Sequence, residues 1–319
     1  MKNRLVKLVS LALIVSLAVL GVACKGKKNP QKESPVVRKP SVGLEYELNE
    51  DGLSYTVVGI GSCEDKALVI PAQYNDLPVT AIGEDAFAFC DNLTSIYIGD
   101  YVTTIEDYAF CLCYNLTKIE VGKSNKAYQS ISGNLYTKDG KKLIQYAIGK
   151  KGESFTVPSS VEIIGYMAFY DCDNLTSVNV GKAVTIEDRA FELCSNLSSV
   201  TIGDSAKTIG VRAFSSCDSL MSVKMGKNVA VIGDEAFYYC TSLTSINLIS
   251  VKTIGKEAFY WCYSLEYVEL GEKLTSIGEM AFEHCSGLMS VYYKGSADQW
   301  SNVKVGSKNE RLTNIVQFI

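Results

Sequence analysis

The chain has 319 residues and a formal net charge of −4, and 21% of its residues are charged. So small a net charge excludes the basic surface of a nucleic-acid-binding protein, and the content of only six prolines argues against extensive disorder. The sequence has one histidine and no Gly-x-Ser-x-Gly, phosphate-loop or His-Glu-x-x-His motif. We therefore expect a protein that is not an enzyme and that holds no metal or cofactor.

Residues 1–23 have the layout of a secretory signal peptide. The basic residues Lys2, Arg4 and Lys7 precede an apolar stretch over residues 8–20. Such a stretch is short for a helix that spans a membrane, whereas it suits the apolar region of a signal peptide. The sequence thus predicts an exported protein.

A cysteine follows this segment directly. The run Leu-Gly-Val-Ala-Cys that ends at Cys24 resembles the bacterial lipobox, whose cysteine becomes the lipidated first residue of the mature protein. Gly21 stands where that motif usually has leucine, and ordinary signal cleavage after Ala23 is the alternative. The resemblance implies a protein that is anchored through a lipid on Cys24 to the bacterial cell membrane and faces the extracellular side.

Two further segments precede the main body of the chain. Residues 24–42 are rich in lysine, contain three prolines and have no aromatic side chain, which predicts a disordered tether. Residues 43–81 contain two alternating apolar and polar segments around a turn at 49–52, and then the apolar run 67–71. They are predicted to form an N-terminal β-hairpin cap and a zeroth strand.

Residues 82–291 contain eight copies of one motif, which has the general form Ile-Gly-x-x-Ala-Phe-x-x-Cys-x-x-Leu. Successive copies are 22 or 23 residues apart, except for one jump of 59 residues. A fixed period of this length is typical of a solenoid, in which each coil buries its apolar face only against its neighbours. The phenylalanines of the eight copies are Phe87, Phe110, Phe169, Phe191, Phe214, Phe237, Phe259 and Phe282.

Each copy contains two kinds of segment. The pattern of Leu220, Val223 and Met225 predicts a strand of the leucine-rich repeat type, whose alternate residues point inward. The spacing of Phe, Cys and Leu by three residues predicts one or two turns of α- or 3₁₀-helix, and the alanine before every Phe indicates a close backbone approach to the next coil. We therefore predict an α/β solenoid: a right-handed leucine-rich repeat superhelix with a parallel β-sheet on the concave face, short helical arches on the convex face and β-hairpin caps.

These motifs resemble those of the BspA-like leucine-rich repeat proteins, a bacterial cell-surface family, and the match covers roughly residues 43–319. Within the long jump, residues 122–158 are predicted to form one coil whose arch is replaced by a hairpin around Asp139-Gly140. The resemblance also implies such a variant coil. Residues 292–319 are predicted to form the C-terminal cap.

Eight of the eleven cysteines occupy one slot, three residues after the phenylalanine. Cysteine behaves as a small apolar residue in a buried slot, so we expect a ladder of free thiols. Disulfides between neighbouring coils are the alternative, because the coils lie about 5 Å apart. Metal binding is disfavoured, since the sequence has no Cys-x-x-Cys motif. The eight residues are Cys90, Cys113, Cys172, Cys194, Cys217, Cys240, Cys262 and Cys285.

The outward positions of the strands supply a first candidate binding surface, the predicted concave face. Its side chains are small, polar and nearly neutral, with tyrosines at both ends. Solenoids commonly bind partners on such an extended surface. The alternative is a plain hydrophilic sheet that uses Ser and Thr for strand propensity and solubility. The candidate residues are Tyr97, Lys118, Glu120, Asn179, Thr201, Lys224, Asn247, Tyr267, Glu269 and Tyr292.

A second candidate surface lies on the arches. Aromatic residues follow two successive phenylalanines, at positions where other copies hold Ser215-Ser216 or Glu283-His284. Exposed Tyr and Trp clusters are typical of interaction hot spots and also suit stacking on sugar rings. Half-burial against the arch of the next coil is the alternative. This aromatic patch consists of Tyr238, Tyr239, Tyr260, Trp261 and Tyr263.

The sequence and the resemblance together predict a non-catalytic, monomeric binding protein of the cell surface. The resemblance implies adhesion to host matrix proteins or to other cells. The alternatives are a carbohydrate-capture lipoprotein for nutrient uptake and an envelope scaffold lipoprotein that recruits another protein. The expected partners are an extracellular protein or glycan, and the membrane through Cys24.

Overall fold

A computed structural model describes residues 38–319. The predicted signal peptide, Cys24 and the tether up to residue 37 lie outside the described residues. The end of the predicted tether lies against the first coil, because the Ser41 N–H donates to the Val69 carbonyl at 3.0 Å and the Ser41 hydroxyl donates to Asp65 at 2.6 Å. The segment predicted to be disordered as far as residue 42 is therefore fixed to the repeats at Ser41. None of the helices in residues 38–319 is long and apolar enough to cross a membrane.

The N-terminal cap contains the predicted hairpin. Strand Glu45–Leu48 pairs antiparallel with Tyr55–Gly59. Strand Leu77–Ile82 then pairs in parallel with Tyr55–Gly59 and antiparallel with the short strand Gln73–Tyr74. The cap thereby covers the apolar edge of the first coil, where Val57 and Ile82 are fully buried.

Each coil contributes one long strand, and the long strands pair in parallel as predicted. Val178, Val200 and Val223 lie in register on three successive strands and point into the core. The sheet is divided into runs of three, four and four strands. The long strands are Ala67–Val69, Ser95–Ile98, Lys118–Val121, Ser154–Thr156, Ser177–Asn179, Ser199–Thr201, Ser222–Lys224, Ser245–Leu248, Tyr267–Leu270, Ser290–Tyr293 and Val316–Phe318.

A second parallel ladder runs along the isoleucine slot, and the sequence analysis missed it. In each coil the isoleucine and the residue before it form a short strand, so that Ile186, Ile209 and Ile232 lie in register and are buried. The short strands of the repeats are Thr104–Ile105, Ile163–Ile164, Thr185–Ile186, Thr208–Ile209, Val231–Ile232, Thr253–Ile254 and Ser276–Ile277.

The arches are turns and not the predicted helices. In residues 38–319 the only α-helices are Ala297–Ser301 and Glu310–Thr313, which belong to the C-terminal end of the chain. Every arch contains two non-glycine residues with positive φ, two positions before and two positions after the phenylalanine. Around Phe214 these are Arg212, with φ 55°, and Ser216, with φ 56°. Left-handed residues cannot continue a right-handed helix, so the three-residue spacing does not produce one.

The backbone groups of the arches bond to the neighbouring coil instead, which makes a third ladder. The Phe214 N–H donates to the Ala236 carbonyl at 2.8 Å. The N–H groups of the left-handed residues Arg212 and Ser216 donate to the same next arch, at 2.9 Å and 2.8 Å. Because the alanine is buried and its carbonyl accepts the central bond, the close backbone approach predicted for this slot is confirmed.

The phenylalanines form the centre of the core. The rings of Phe191 and Phe214 are 5.0 Å apart and within 3° of parallel, and those of Phe214 and Phe237 are 5.2 Å apart and within 7° of parallel. Both faces of the Phe214 ring are thus covered by another ring. Burying each ring contributes about 1.5–3 kcal/mol.

The variant coil interrupts this regularity. The predicted hairpin is present, with Asn134–Thr137 antiparallel to Lys142–Gln145, and a further strand, Tyr128–Ile131, pairs with its other edge. The sequence analysis predicted that the hairpin replaces the arch, and this is wrong. The hairpin strand Lys142–Gln145 instead joins the ladder of short strands. The arch is shortened to residues 146–149, with the Tyr146 ring in the phenylalanine slot.

The C-terminal cap closes all three ladders. Lys304–Val305 extends the short strands and Val316–Phe318 extends the long strands. The arch ladder ends on the side chain of Asn309, whose Oδ1 accepts the Phe282 N–H at 3.0 Å. The long strand Ser290–Tyr293 crosses the predicted boundary at residue 292, so the cap begins after this strand.

Candidate functional site: the aromatic patch on the arches

The cysteine ladder has the predicted form of buried, free thiols. All ten described cysteines are free, and seven of them are buried. The Cys217 thiol donates to the Phe191 carbonyl of the preceding coil at 3.2 Å, and Cys240 donates to Phe214 at 3.1 Å. Cysteine therefore suits this slot as a small residue that also donates a hydrogen bond between coils. Residues 38–319 contain no group of His, Cys, Asp and Glu side chains arranged to hold a metal ion.

Alkylation of the native protein should separate the buried thiols from the others. Burial raises the pKa of Cys172 and Cys285 to about 12, so these groups stay as unreactive thiols. With iodoacetamide at pH 8.5, we expect modification at the half-buried Cys63, slower modification at the half-buried Cys90 and Cys111, whose pKa values burial also raises, and none at the seven buried cysteines. Peptide mapping by mass spectrometry measures this, with the urea-unfolded protein as the fully reactive control. Equal modification at all sites would contradict the buried ladder.

The N-terminal end of the predicted concave face is tied together by charges. Arg38 places its guanidinium 4.2 Å from the centre of the Tyr97 ring and 3.2 Å from the Glu120 carboxylate. Lys118 lies 2.6 Å from the other oxygen of the same carboxylate. Hydrogen bonds from Lys118 and Arg38 outweigh partial burial and hold the pKa of Glu120 below its usual range. Three candidate residues are thus engaged with one another and with Arg38.

The C-terminal end of this face forms a second group. The Tyr267 and Tyr292 rings are 5.4 Å apart, and the Asn247 amide donates to Glu269 at 2.8 Å. Lys294 lies 3.6 Å from the same carboxylate. Burial and the neighbouring Glu269 raise the pKa of Tyr267 to about 12.

The middle of the face carries isolated polar side chains. Asn179 accepts a hydrogen bond from the Gly181 N–H, two residues along its own chain. Thr201 lies between Asn179 and Lys224, in register on three neighbouring strands. Lys224 and Asn179 are exposed and Thr201 is half-buried. The structure therefore places these three candidate residues side by side, whereas side-chain contacts join the candidate residues at the two ends of the sheet.

The five residues of the aromatic patch lie together on two neighbouring arches. The rings of Tyr238 and Tyr260 are 5.5 Å apart and within 9° of parallel. The Trp261 ring lies 5.5 Å from Tyr239, 5.2 Å from Tyr260 and 6.4 Å from Tyr263. The patch is a continuous aromatic surface with both flat faces and edges available.

The aromatic patch is partly exposed to solvent. Tyr238, Tyr239, Tyr260 and Trp261 are half-buried, and Tyr263 is 41% exposed. The rings lean on one another along the arches, so the alternative of half-burial is correct for their inner sides, while the outer sides reach solvent. Side chains that are anchored in this way lose little further freedom when a partner binds.

The backbone does not require aromatic residues at these positions. Tyr239 and Trp261 have left-handed φ values of 58° and 59°, and Ser216 occupies the equivalent position with φ 56°. Serine in the preceding arch shows that the turn forms with a small polar side chain. Aromatic rings are therefore not needed to form the arch.

His284 extends the patch onto a third arch, which the sequence analysis did not anticipate. Its ring is 5.1 Å from Tyr260 and 5.8 Å from Trp261. The sequence contained a signal, since His284 occupies the same slot as Tyr239 and Trp261. A second feature that was missed is a notch beside the variant coil, lined by Tyr108, Tyr166 and other residues that come from parts of the chain far apart in sequence.

Comparison with protein families identifies the repeats. A family model described as the BspA type leucine-rich repeat region, in six copies, matches residues 66–140, 147–251 and 184–304. The chain belongs to this family. The predicted resemblance is thereby confirmed, and the leucine-rich repeat solenoid with it.

Solved structures of bacterial proteins share the fold. A leucine-rich cell surface protein from Faecalibacterium prausnitzii has a TM-score of 0.50 and 20% identity, covering 85% of this chain and 98% of its own. A leucine-rich repeat protein from Eubacterium ventriosum has a TM-score of 0.54 and 20% identity, covering 80% and 92%. The pneumococcal vaccine antigen PcpA has a TM-score of 0.50 and 16% identity, covering 79% and 67%. Identities this low show the fold alone. No curated protein matches the chain.

Proposed function

We propose that this BspA-type protein is a non-catalytic binding protein of the bacterial cell surface that adheres to an extracellular protein through the aromatic patch. Repeat solenoids bind partners over broad, shallow surfaces. The signal-like segment and the lipobox-like run at Cys24 support export and lipid anchoring, and the family is one of cell-surface proteins. The description of the Faecalibacterium prausnitzii relative as a cell surface protein is in keeping with this location.

The observation that carries the proposal is the continuous ring surface formed by the aromatic patch and His284. Three successive arches place aromatic rings at 5.1–6.4 Å from one another, in slots that hold Ser215 and Ser216 in the preceding arch. Tyr and Trp side chains dominate binding hot spots because they bury a large area with few rotatable bonds. The strand face supports the proposal less, because its charged residues Lys118, Glu120 and Glu269 are engaged with other side chains.

The double substitution Tyr239→Ser and Trp261→Ser tests this role. Serine is the natural residue of the same slot in the preceding arch, so the fold should persist, with a loss of about 0.5–1.5 kcal/mol for each ring contact removed. We expect binding to immobilised matrix proteins, or to cells, to weaken by at least about tenfold, as for hot-spot residues. Surface plasmon resonance and cell-adhesion assays measure this.

The matched control for the loss of an aromatic surface residue is Tyr74→Ser, in the N-terminal cap. Tyr74 is 39% exposed and its ring stacks on Tyr46 at 3.9 Å, which resembles the packing within the patch. Binding should be unchanged in this variant. Unchanged binding in the double variant, with a normal circular dichroism spectrum, would exclude the patch as the docking surface.

A second candidate function is the capture of carbohydrate, and the flat faces of the patch are the observation that favours it. The Trp261 and Tyr263 rings lie within 27° of parallel, an arrangement on which sugar rings can stack. A glycan array compared with a panel of matrix proteins separates the two functions. Binding to glycans alone, lost in the double variant, would keep the patch as the site but replace adhesion to protein with capture of sugar.

A further inference from the structure

The arch ladder is broken between Phe110 and Phe169, although the other arches are bonded to a neighbour. In the regular arches the N–H of the phenylalanine and those of the two left-handed residues donate to the following coil. The equivalent N–H groups of Tyr108, Phe110 and Leu112 have no hydrogen-bond partner among residues 38–319. By the geometry of the repeat these three groups point toward the next coil, where the shortened arch leaves space.

The opposite wall of this space has carbonyl groups that lack hydrogen-bond donors, which complements the unpaired N–H groups of the first wall. The shortened arch supplies only one bond to it, from the Tyr146 N–H to the Ala168 carbonyl at 2.8 Å. The carbonyls of Tyr166 and Tyr170 occupy the two other accepting slots, and neither accepts a hydrogen bond from a described residue. One wall therefore offers donors and the other offers acceptors.

The space between the walls is a small cavity, which we call the notch. Its volume is about 70 Å³, and its lining includes apolar side chains of Phe110, Ile148 and Met167. At its edge the Tyr108 and Tyr166 rings stand at 86° to one another, and their hydroxyls are 2.9 Å apart. Sites for small organic ligands usually measure about 300–1,000 Å³, so the notch suits the end of one side chain rather than a whole ligand.

Several acidic side chains surround the notch, and Arg189, a cation that acts on Tyr166 and Tyr170, is paired with Glu192 at 3.4 Å. Glu106 and Asp107 line the notch, and Asp171 lies beside it, where it accepts a hydrogen bond from the Tyr114 hydroxyl. Burial raises the pKa of the Cys111 thiol to about 11, with smaller contributions from Asp85 and Asp171.

We propose that the notch binds an arginine side chain of a partner polypeptide. The aliphatic stem would lie on Met167 and Ile148, and the guanidinium would lie against the outer face of a tyrosine ring, where it gains cation–π attraction and the attraction of the nearby carboxylates. The guanidinium donors can reach the free carbonyls of Tyr166 and Tyr170. The carbonyls of the flanking peptide can accept from the free N–H groups on the other wall, which a protonated free amine would leave unpaired.

This proposal is independent of the aromatic patch, because the two sites lie on different arches. The reporter is Cys111, a half-buried thiol that lines the notch. The probe is the acetylated and amidated pentapeptide Gly-Gly-Arg-Gly-Gly at millimolar concentration, with the full chain in low salt. Its protection of Cys111 from iodoacetamide is followed by peptide mapping, with Cys63 and Cys90 as unprotected internal references.

We expect the arginine peptide to slow alkylation of Cys111 alone, and the same peptide with citrulline in place of arginine to give no protection. The double variant Asp107→Asn and Asp171→Asn should weaken the protection by about tenfold, equal to about 1.4 kcal/mol. Asp218→Asn, an exposed carboxylate further along the array, should leave it unchanged.

Three results would overturn the proposal. Absence of protection by the arginine peptide would show that the notch does not bind it. Equal protection by the citrulline peptide would remove the role of the charge. Equal protection by free arginine amide would show that the site takes a small guanidinium compound and not a polypeptide.

Discussion

Phe214→Ala is expected to destabilise the protein by about 3–5 kcal/mol, the cost of replacing a fully buried aromatic ring with alanine. The ring is covered on both faces, by Phe191 at 5.0 Å and by Phe237 at 5.2 Å. Its loss opens a cavity in the middle of the array and also removes two ring contacts. Urea unfolding followed by far-ultraviolet circular dichroism measures the change in the free energy of unfolding.

Phe89→Ala is the matched control for this prediction. The same substitution is made in an arch, but Phe89 is 70% exposed and has a left-handed φ of 58° that alanine tolerates no worse. We expect a change within about 0.5 kcal/mol, as for most surface substitutions. A similar loss in both variants would show that stability does not depend on the stacked rings.

Asn309→Ala should have the second largest effect, a loss of about 3 kcal/mol or more. Asn309 is 3% exposed, its Oδ1 accepts the Phe282 N–H, and its Nδ2 donates to the Gly278 and Gly306 carbonyls at 2.9 Å and 2.8 Å. Alanine leaves these groups buried and without partners, at about 1–3 kcal/mol for each group. Thermal unfolding and hydrogen exchange in the last two coils measure the effect.

Two further variants distinguish the loss of the capping hydrogen bonds from a general effect of replacing an asparagine. Asn302→Ala removes one exposed hydrogen bond, from Nδ2 to the Asp298 carbonyl at 2.7 Å, and should cost less than about 1 kcal/mol. Asn309→Asp keeps an oxygen for the Phe282 N–H but loses the Nδ2 donors and buries a charge, so it should be at least as harmful as alanine. A mild effect of both Asn309 variants would mean that the arch ladder needs no closing residue.

Much of the fold could be predicted because the repeat places the same residue type at the same depth in every coil. The long strands and the buried phenylalanine and cysteine ladders follow from apolar residues with a constant spacing, and one coil such as that of Phe214 predicts the others. The second ladder was missed because strands of two residues, such as Thr208–Ile209, are too short to show an alternating pattern.

The arches were predicted incorrectly for a different reason. The spacing of Phe, Cys and Leu by three residues fits a 3₁₀-helix and a turn equally well. The left-handed slots hold residues as varied as Arg212, Glu235 and Trp261, none of them glycine. Hydrogen bonds to the next coil impose this backbone conformation, and bonds to a neighbouring coil leave no mark in the sequence of a single arch.

The candidate surfaces also include features that could be predicted from the sequence and features that could not. The aromatic patch could be predicted because Tyr239 and Trp261 occupy one slot in adjacent coils, which the solenoid brings side by side. The pairing of Glu120 with Arg38 could not be predicted, since it joins the repeats to a residue of the supposed tether. The notch could not be predicted either. It exists because one arch is shortened, and no residue of the repeat motif indicates that an arch will be short.

Native-state hydrogen exchange, resolved to single amides by NMR, tests the central claim that hydrogen-bonded arches form a ladder broken at one point. The account predicts slow exchange for the N–H groups of Phe191, Phe214 and Phe237, comparable with the long strands beside them. It predicts much faster exchange for those of Tyr108 and Leu112, which border the notch. Fast exchange at Phe214, or protection at Tyr108 and Leu112 equal to that of the regular arches, would contradict it.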